Sequence, residues 1–154
     1  MAPTTNQITR NSIFYRIYFL YFEPIAALGG TYLCFFDPTR FLQGTMSLRA
    51  YTSFQPIELS PILTMLLTNI GSLYVLFAIN EGLVLRATRE RKVWYLILAA
   101  MLAADSGHLY AAWAIDPERV WQVVAWNSDE WVNYGTLVLG AALRVAFLLG
   151  LGRN

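Results

Sequence analysis

The chain has 154 residues and a formal net charge of +1, and 56% of its residues are hydrophobic while only 14% are charged. Soluble domains carry about 25% charged residues, so this composition is typical of a membrane protein. The small net charge, with no basic run interleaved with aromatic residues, excludes nucleic acid as a partner. The single cysteine, Cys34, excludes an internal disulfide. The length predicts one membrane domain over residues 1–154.

Four apolar stretches are long enough to cross a bilayer, at 12–36, 61–85, 93–115 and 131–151. A membrane-spanning helix needs roughly 20 apolar residues. We therefore predict an all-α protein, a four-transmembrane-helix bundle in the lipid bilayer. Pro24 lies inside the first stretch, and a proline there should kink the helix and free the carbonyl of Leu20 one turn earlier.

Charge asymmetry predicts the orientation of the bundle. With four spans, the N-terminus, the 86–92 connection and the C-terminus share one side, which holds Arg10, Arg86, Arg89, Arg91, Lys92 and Arg153 against Glu90. The opposite side holds Arg40, Arg49 and Arg119 against Asp37, Glu58, Asp116, Glu118, Asp129 and Glu130. The positive-inside rule then places both termini in the cytosol. We expect a multi-pass protein of the endoplasmic reticulum.

The two connections on the lumenal side differ in character. The first, 37–60, is long for a link between neighbouring helices, and it is either a lid over the lumenal mouth of the bundle or a plain interfacial loop. The second begins with Asp116-Pro117-Glu118, which is typical of a helix N-terminus. We predict a short helix there that lies in the membrane interface.

Two acids are predicted to lie near the middle of the membrane. Glu23 is ~17 Å from the cytosolic boundary of its span and Asp105 is ~18 Å from that of its own. A carboxylate at this depth is costly, by roughly 2.5–3.5 kcal/mol, and usually marks a site or a pathway. His108 follows Asp105 by three residues and shares its helical face. Arg144 and Glu81 are predicted to lie closer to the cytosolic side.

Structural explanations compete with functional ones for most of these polar groups. Glu81 could form an ion pair with Arg144 or with Arg16 that only holds the bundle together. Asn69 and Asn80, which share one face of the second span, could bond to neighbouring helices. His108 could be a hydrogen-bonded core histidine. No HxxH or ExxH pair accompanies the acids, so neither a metal nor another cofactor is predicted.

The predicted surroundings of the acids indicate acid catalysis on an apolar substrate. An apolar pocket disfavours the ionised form of a carboxylate, so one acid can stay protonated and act as a general acid. Aromatic faces attract cationic centres, which suits reactions that pass through carbocations. We predict Glu23 and Asp105 as catalytic residues. The predicted substrate-binding residues are His108, Asn80, Glu81, Arg144, Tyr18, Phe19, Phe22 and Phe77.

The segments YFEPIAALGG (21–30), INEGLVLRATRE (79–90) and LAADSGHLYAAW (102–113), with the four-span layout, resemble the small integral-membrane terpene cyclases of fungal meroterpenoid pathways, the ascofuranone and macrophorin cyclase type. The resemblance implies a metal-independent cyclase without a cofactor. It would protonate a terminal epoxide or olefin of a prenylated, farnesyl-type precursor and cyclise the resulting carbocation. It also implies that Glu23 and Asp105 are the acids to test.

Two other classes of protein share some of these features. A sterol-isomerase-like or sterol-binding four-span protein would also hold buried acids in a closed apolar cavity. A small proton-coupled exporter would have one membrane acid in its first helix, as Glu23 is. The second acid Asp105, the long lumenal connections and the strong charge asymmetry disfavour the exporter.

Overall fold

The structure is a computed structural model that describes residues 13–53 and 59–152 of the chain, and these residues form helices and no β-strand. The helices are α1 (Ile13–Phe36), α2 (Pro38–Thr45), α3 (Leu48–Ser53), α4 (Pro61–Ala87), α5 (Arg91–Ile115), α6 (Pro117–Trp121) and α7 (Ser128–Leu148). Four of them, α1, α4, α5 and α7, are long and apolar enough to cross a membrane. The prediction of an all-α protein with four candidate spans is therefore confirmed.

The span boundaries differ from the predicted ones chiefly in α7. This helix begins at Ser128 rather than at 131, because Asn127 and Glu130 form a capping box in which each side chain accepts the other residue's backbone N–H. It ends at Leu148, and Gly150 follows with a φ of 84°, a conformation that glycine adopts without strain. The link between α4 and α5 is shorter than predicted, because α5 already begins at Arg91.

Helix α1 contains a π-helical turn at Tyr18–Phe22, directly before Pro24. Proline has no N–H to offer the carbonyl four residues earlier, which is that of Leu20. The guanidinium of Arg86, at the end of α4, donates to this carbonyl oxygen at 3.0 Å. The carbonyl of Leu20, which is predicted to lose its hydrogen-bond donor within the helix, thus accepts a hydrogen bond from α4 instead. A second π-helical turn, Asn80–Val84, lies in α4 beside the first.

The bundle has two ends that differ in their connections. We call the end with the short Thr88–Glu90 link the turn end, and the end with 37–60 and 116–127 the loop end. The 37–60 connection folds into α2 and α3, while its residues 54–58 lie outside the described part. In the second connection, Asp116 caps α6 by accepting from the backbone N–H of Arg119, as the sequence predicts. Arg10 and Arg153, used for the predicted orientation, also lie outside the described residues.

Two groups of buried side chains hold the helices together. Helix α1 packs along α4, and α5 packs along α7. At the turn end, the larger group contains Tyr15, Tyr18, Phe19, Leu20, Leu85, Trp94, Leu98 and Phe147. At the loop end, the smaller group contains Cys34, Phe41 and Leu67, so α2 is packed against α1 and α4. This arrangement leaves an interior space above the larger group.

Candidate functional site

A single guanidinium binds three carboxylates inside the bundle. Arg144 Nη2 donates to Glu23 Oε2 and to Glu81 Oε1, each at 2.8 Å, and Arg144 Nη1 donates to Asp105 Oδ2 at 2.6 Å. The four residues come from α1, α4, α5 and α7, so every long helix contributes one. We call these four residues the acid cluster. With one cation and three acids, the cluster would carry two excess negative charges if every carboxyl were ionised.

The directions of the helices explain why these four residues meet. Side chains lean toward the N-terminus of their own helix. Helices α4 and α7 start at the loop end, so Glu81 and Arg144 reach back from the turn end toward the middle. Helices α1 and α5 run the other way, so Glu23 and Asp105 reach down to them. Arg144 and Glu81 are predicted to lie closer to the cytosolic side than the two acids, and the contacts show that their side chains nevertheless reach Glu23 and Asp105.

The acid cluster is most deeply buried at Glu81 and Arg144. The side chains of Glu81 and Arg144 are 1% and 3% exposed, whereas those of Glu23 and Asp105 are 13% and 12% exposed. Of the two ion pairs that the sequence left open for Glu81, the structure contains the one with Arg144. The ring of Phe19 lies 5.6 Å from Arg144 Cζ, close enough for a cation–π contact.

Two buried polar atoms of the acid cluster lack a hydrogen-bond partner, Glu81 Oε2 and Arg144 Nε. The carboxyls of Glu23 and Glu81 lie side by side, because Glu23 Oε2 and Glu81 Oε1 both accept from Arg144 Nη2. Two carboxyls can bond only if one of them carries a proton. A proton on Glu23 or Glu81 would reduce the excess negative charge of the acid cluster and would allow the two neighbouring carboxyls to bond.

Gly140 of α7 allows the acid cluster to pack against the helix backbone. A Cβ added at this position would lie 2.7 Å from Glu23 Oε1 and 2.8 Å from Arg144 Nη1, closer than real Cβ contacts. Any side chain larger than hydrogen would therefore have to displace the carboxyl or the guanidinium. Gly140 is thus part of the site although it has no functional side chain.

Above the acid cluster lies a cavity of about 670 Å³. This volume is within the range of small-molecule sites. Along α1 the lining residues run from Tyr18 to Leu33, which corresponds to ~22 Å of helix. Its aromatic lining consists of Tyr18, Phe22, Tyr32, Phe41, Tyr74 and Phe77. The site is therefore an elongated, largely apolar chamber with carboxyls at its inner end.

The wall of the cavity carries a second polar pair. The hydroxyl of Tyr74 and Nε2 of His108 form a hydrogen bond of 3.3 Å, and the two rings are nearly parallel with centroids 6.1 Å apart. His108 is one helical turn from Asp105 toward the loop end. Tyr74 also fills the space beside Gly30, where an added Cβ would lie 2.8 Å from the ring.

At the loop end, the cavity is bounded by the ion pair of Arg40 and Asp129. Arg40 donates to both carboxylate oxygens of Asp129, at 2.7 and 3.0 Å, and so joins α2 to the first turn of α7. The hydrogen bond to Asp129 raises the pKa of the Arg40 guanidinium. The amide of Asn133 donates to the carbonyl of Thr45 at 3.2 Å, which adds a second link between these helices. Helix α2 thus covers part of the cavity.

Most of the predicted site residues meet in this chamber. Glu23, Asp105, Glu81, Arg144, His108, Tyr18, Phe22 and Phe77 all line the cavity. Two predicted substrate-binding residues, Asn80 and Phe19, are not among the lining residues. Asn80 precedes the lining residue Glu81, and Phe19 follows the lining residue Tyr18. A helix rotates by ~100° per residue, so the side chains of Asn80 and Phe19 point away from the cavity. Phe19 instead packs in the core beneath Arg144.

Sequence reasoning missed several residues that shape the site. Arg40 and Asp129 are only loop charges in the sequence, since a pair 89 residues apart has no local sequence signal. Gly140 gave no signal, because its role depends on side chains from other helices. Tyr74 gives no signal of its own in the sequence, because its bond to His108 joins two different helices. Among residues 13–53 and 59–152, no group of three His, Cys, Asp or Glu side chains has the arrangement of a metal site.

A family model described as a domain of unknown function, DUF7704, matches residues 8–154. No curated protein and no solved structure matches the chain.

Proposed function

Because the chain belongs to the DUF7704 family, a domain of unknown function, we propose a function from its site: a membrane-bound, metal-independent terpene cyclase that starts its reaction with a proton. The observation that carries this proposal is the position of Glu23 and Asp105, both at the inner end of an apolar chamber of about 670 Å³. The substrate would be a prenylated, farnesyl-type precursor whose chain extends along the chamber. We further propose that both termini face the cytosol and that the protein resides in the endoplasmic reticulum.

The charge balance of the acid cluster suggests which acid donates the proton. Glu81 and Arg144 are the most buried members and neutralise each other. Glu23 and Asp105 are left as surplus acids, and both face the chamber. Burying two uncompensated carboxylates in an apolar region is costly, so the cluster would retain a proton. Glu23 shares the Nη2 donor of Arg144 with Glu81, whereas Asp105 binds Nη1 alone, so Glu23 is our first choice as the carrier of this proton.

The reaction then follows from the groups in the chamber. Glu23 gives its proton to the terminal epoxide oxygen or to a terminal alkene carbon, and a carbocation forms as the C–O bond opens or the C=C electrons take up the proton. The next double bond of the chain attacks this cation and closes a ring. The remaining negative charge of the cluster and the faces of Tyr18 and Phe22 stabilise the cation.

Termination requires a base that removes a proton from the final cation. His108 and Tyr74 are suitable, because their hydrogen-bonded pair lies in the wall one turn away from the acids. Loss of a C–H proton to His108 Nε2 would leave a new double bond in the product. The product is then an isomer of the substrate, and protons must pass back to the acid cluster before the next turnover.

A sterol-type reaction is the second candidate, since the same chamber would also hold a rigid apolar ring system. Proton transfer from Glu23 to a ring double bond, followed by loss of a different proton, would move that double bond. The elongated form of the chamber and the cation-stabilising aromatics do not distinguish the two reactions. The substrate arms of the experiment do.

The test is mass-resolved product analysis in microsomes that contain the chain. Farnesylated phenols with and without a terminal epoxide form one arm, and a sterol with a ring double bond forms the other. Glu23→Gln and Asp105→Asn are compared with Glu90→Gln, an exposed acid outside the chamber. A new product of unchanged mass that Glu90→Gln retains and the other two lose supports the proposal. Formation of the product by both site variants would overturn the acid mechanism.

A further inference from the structure

The exposure of the cavity lining differs between the helices. The lining residues of α4 and α5 are buried or half-buried, whereas four from α1 and Val132 of α7 are exposed. Phe22 is 47% exposed, Tyr32 61% and Val132 69%. Ala26 and Gly29 are exposed beside them. Residues that line a cavity and also reach the outside mark its opening, so the chamber opens sideways between α1 and α7.

Two polar contacts bound this opening. Toward the turn end, the hydroxyl of Tyr18 donates to the carbonyl of Thr136 at 3.5 Å, and this bond joins α1 to α7. Toward the loop end, the ion pair of Arg40 and Asp129 joins α2 to α7. From Asp129 to Thr136 the chain rises ~10 Å along the helix. We call the opening between these contacts, lined by Phe22, Ala26, Gly29, Tyr32 and Val132, the lateral window.

The surroundings of the lateral window are those of a hydrocarbon layer. It lies within the length of two helices that are long and apolar enough to cross a membrane. Its rim consists of aromatic, aliphatic and glycine residues, and a strongly apolar molecule is concentrated in the bilayer rather than in water. We propose that the lateral window is the route by which an apolar, chain-bearing molecule passes between the lipid and the chamber.

This inference deepens the proposed function, because it states how its class of substrate reaches the acids. It depends on the binding of an apolar chain in the chamber and not on the reaction that follows. A linear chain can pass an opening of this height end first. Its leading terminus then meets the acid cluster, which is where protonation of a terminal group has to take place.

Gly29 provides a selective way to obstruct the lateral window. A Cβ added at Gly29 would meet no heavy atom within 4 Å, so a substitution there creates no clash at its Cβ. Gly107 of α5 offers equally open space and is also exposed, but it does not line the cavity. Gly29→Trp and Gly107→Trp therefore add the same side chain to a membrane-spanning helix. Only Gly29→Trp places it at the lateral window.

The experiment uses the full chain reconstituted in phosphatidylcholine vesicles, with farnesol carrying a photoreactive diazirine as the probe. Vesicles are illuminated at successive times after mixing, and labelled cavity peptides are quantified by mass spectrometry. We expect Gly29→Trp to slow labelling by about tenfold or more, the loss expected for an added barrier of ~1.4 kcal/mol or more. Gly107→Trp should label at the rate of the unsubstituted protein.

Several results would overturn the inference. An unchanged labelling rate in Gly29→Trp would exclude the lateral window as the route, as would a lower final extent of labelling at an unchanged rate. Faster labelling in Arg40→Gln together with an unaffected Gly29→Trp would assign the route to the loop end. A disulfide between the Val132→Cys residues of two copies would cover the lateral window. If the cross-linked protein is labelled as fast as the protein without the cross-link, the route lies elsewhere. If cavity peptides of the unsubstituted protein remain unlabelled, the ligand class of the proposed function fails as well.

Discussion

Arg86 donates a hydrogen bond to the carbonyl oxygen of Leu20, the carbonyl that Pro24 leaves without its usual helical donor. The same guanidinium lies 4.6 Å from the centre of the Tyr21 ring. Pro24 and Arg86 are 62 residues apart and belong to different helices. Arg86 nevertheless supplies the hydrogen bond that Pro24 cannot donate to Leu20. This relationship makes the contribution of Arg86 depend on the residue at position 24.

A double-mutant cycle tests this dependence. Arg86→Met should lower the free energy of unfolding by about 1.5–3 kcal/mol, the range for a hydrogen bond to a charged group. In a Pro24→Ala background the loss should be smaller, because alanine offers its own N–H to Leu20. Thermal unfolding in detergent measures all four variants. Equal losses in both backgrounds would show that Arg86 acts through Tyr21 or through its charge alone.

Removal of the central cation should be the most damaging change in the bundle. Arg144→Gln leaves three buried carboxyls without a positive charge, and breaking a buried pair in this way costs about 3–5 kcal/mol. We expect little folded protein from this variant. Adding Glu81→Gln should restore part of the folded fraction, because one of the unpaired acids is then neutral.

The folded fraction is read from size-exclusion profiles in detergent. The matched control is Arg49→Gln, which removes a highly exposed arginine from the loop end. A normal yield of Arg144→Gln would mean that the three acids are neutral without the guanidinium. In that case Arg144 would not hold the acid cluster together.

Gly140→Ala should disturb the acid cluster without removing any charged group. Its Cβ would lie 2.7 Å from Glu23 Oε1, and overpacking of this kind costs about 1–3 kcal/mol. We expect a lower melting temperature and a loss of cyclisation. Gly107→Ala is the control, since its Cβ meets open space and a glycine-to-alanine change in a helix stabilises by roughly 0.5–1 kcal/mol. A stabilised Gly140→Ala would contradict the described packing.

His108→Asn and Tyr74→Phe should change which product forms rather than whether the substrate is consumed. If the pair removes the final proton, its loss leaves the last carbocation to be captured by water or to lose a different proton. Products of higher mass by one water, or double-bond isomers, should then appear by gas chromatography with mass detection. A product profile identical to that of the unsubstituted chain would leave the pair a structural role only.

The proposed orientation is accessible to cysteine labelling. Ser53→Cys lies at the loop end and Arg89→Cys in the link at the turn end, and both positions are exposed. In sealed microsomes an impermeant maleimide should label Arg89→Cys directly and Ser53→Cys only after permeabilisation. The native Cys34 is buried and serves as the background. The reverse pattern would place the termini in the lumen.

The sequence predicted the features of the fold that depend on a single helix or its ends. The four spans, the proline-freed carbonyl of Leu20 and the Asp116 cap all follow from local patterns. The convergence of Arg144 with Glu23 did not, because a count of residues gives the depth of the backbone and ignores the direction of long side chains. The capping box of Asn127 and Glu130 was overlooked because two charged residues resembled a loop rather than a first helical turn.

The ion pair that bounds the lateral window differs from the acid cluster in its contact with water. The side chains of Arg40 and Asp129 are 46% and 37% exposed, whereas that of Arg144 is 3% exposed. Dissolved salt screens exposed charges over a Debye length of about 8 Å at physiological ionic strength and acts far less on buried ones. Raising the salt concentration should therefore loosen the link between α2 and α7 while the acids stay bound to Arg144. Ionic strength would then alter access to the chamber independently of the chemistry inside it.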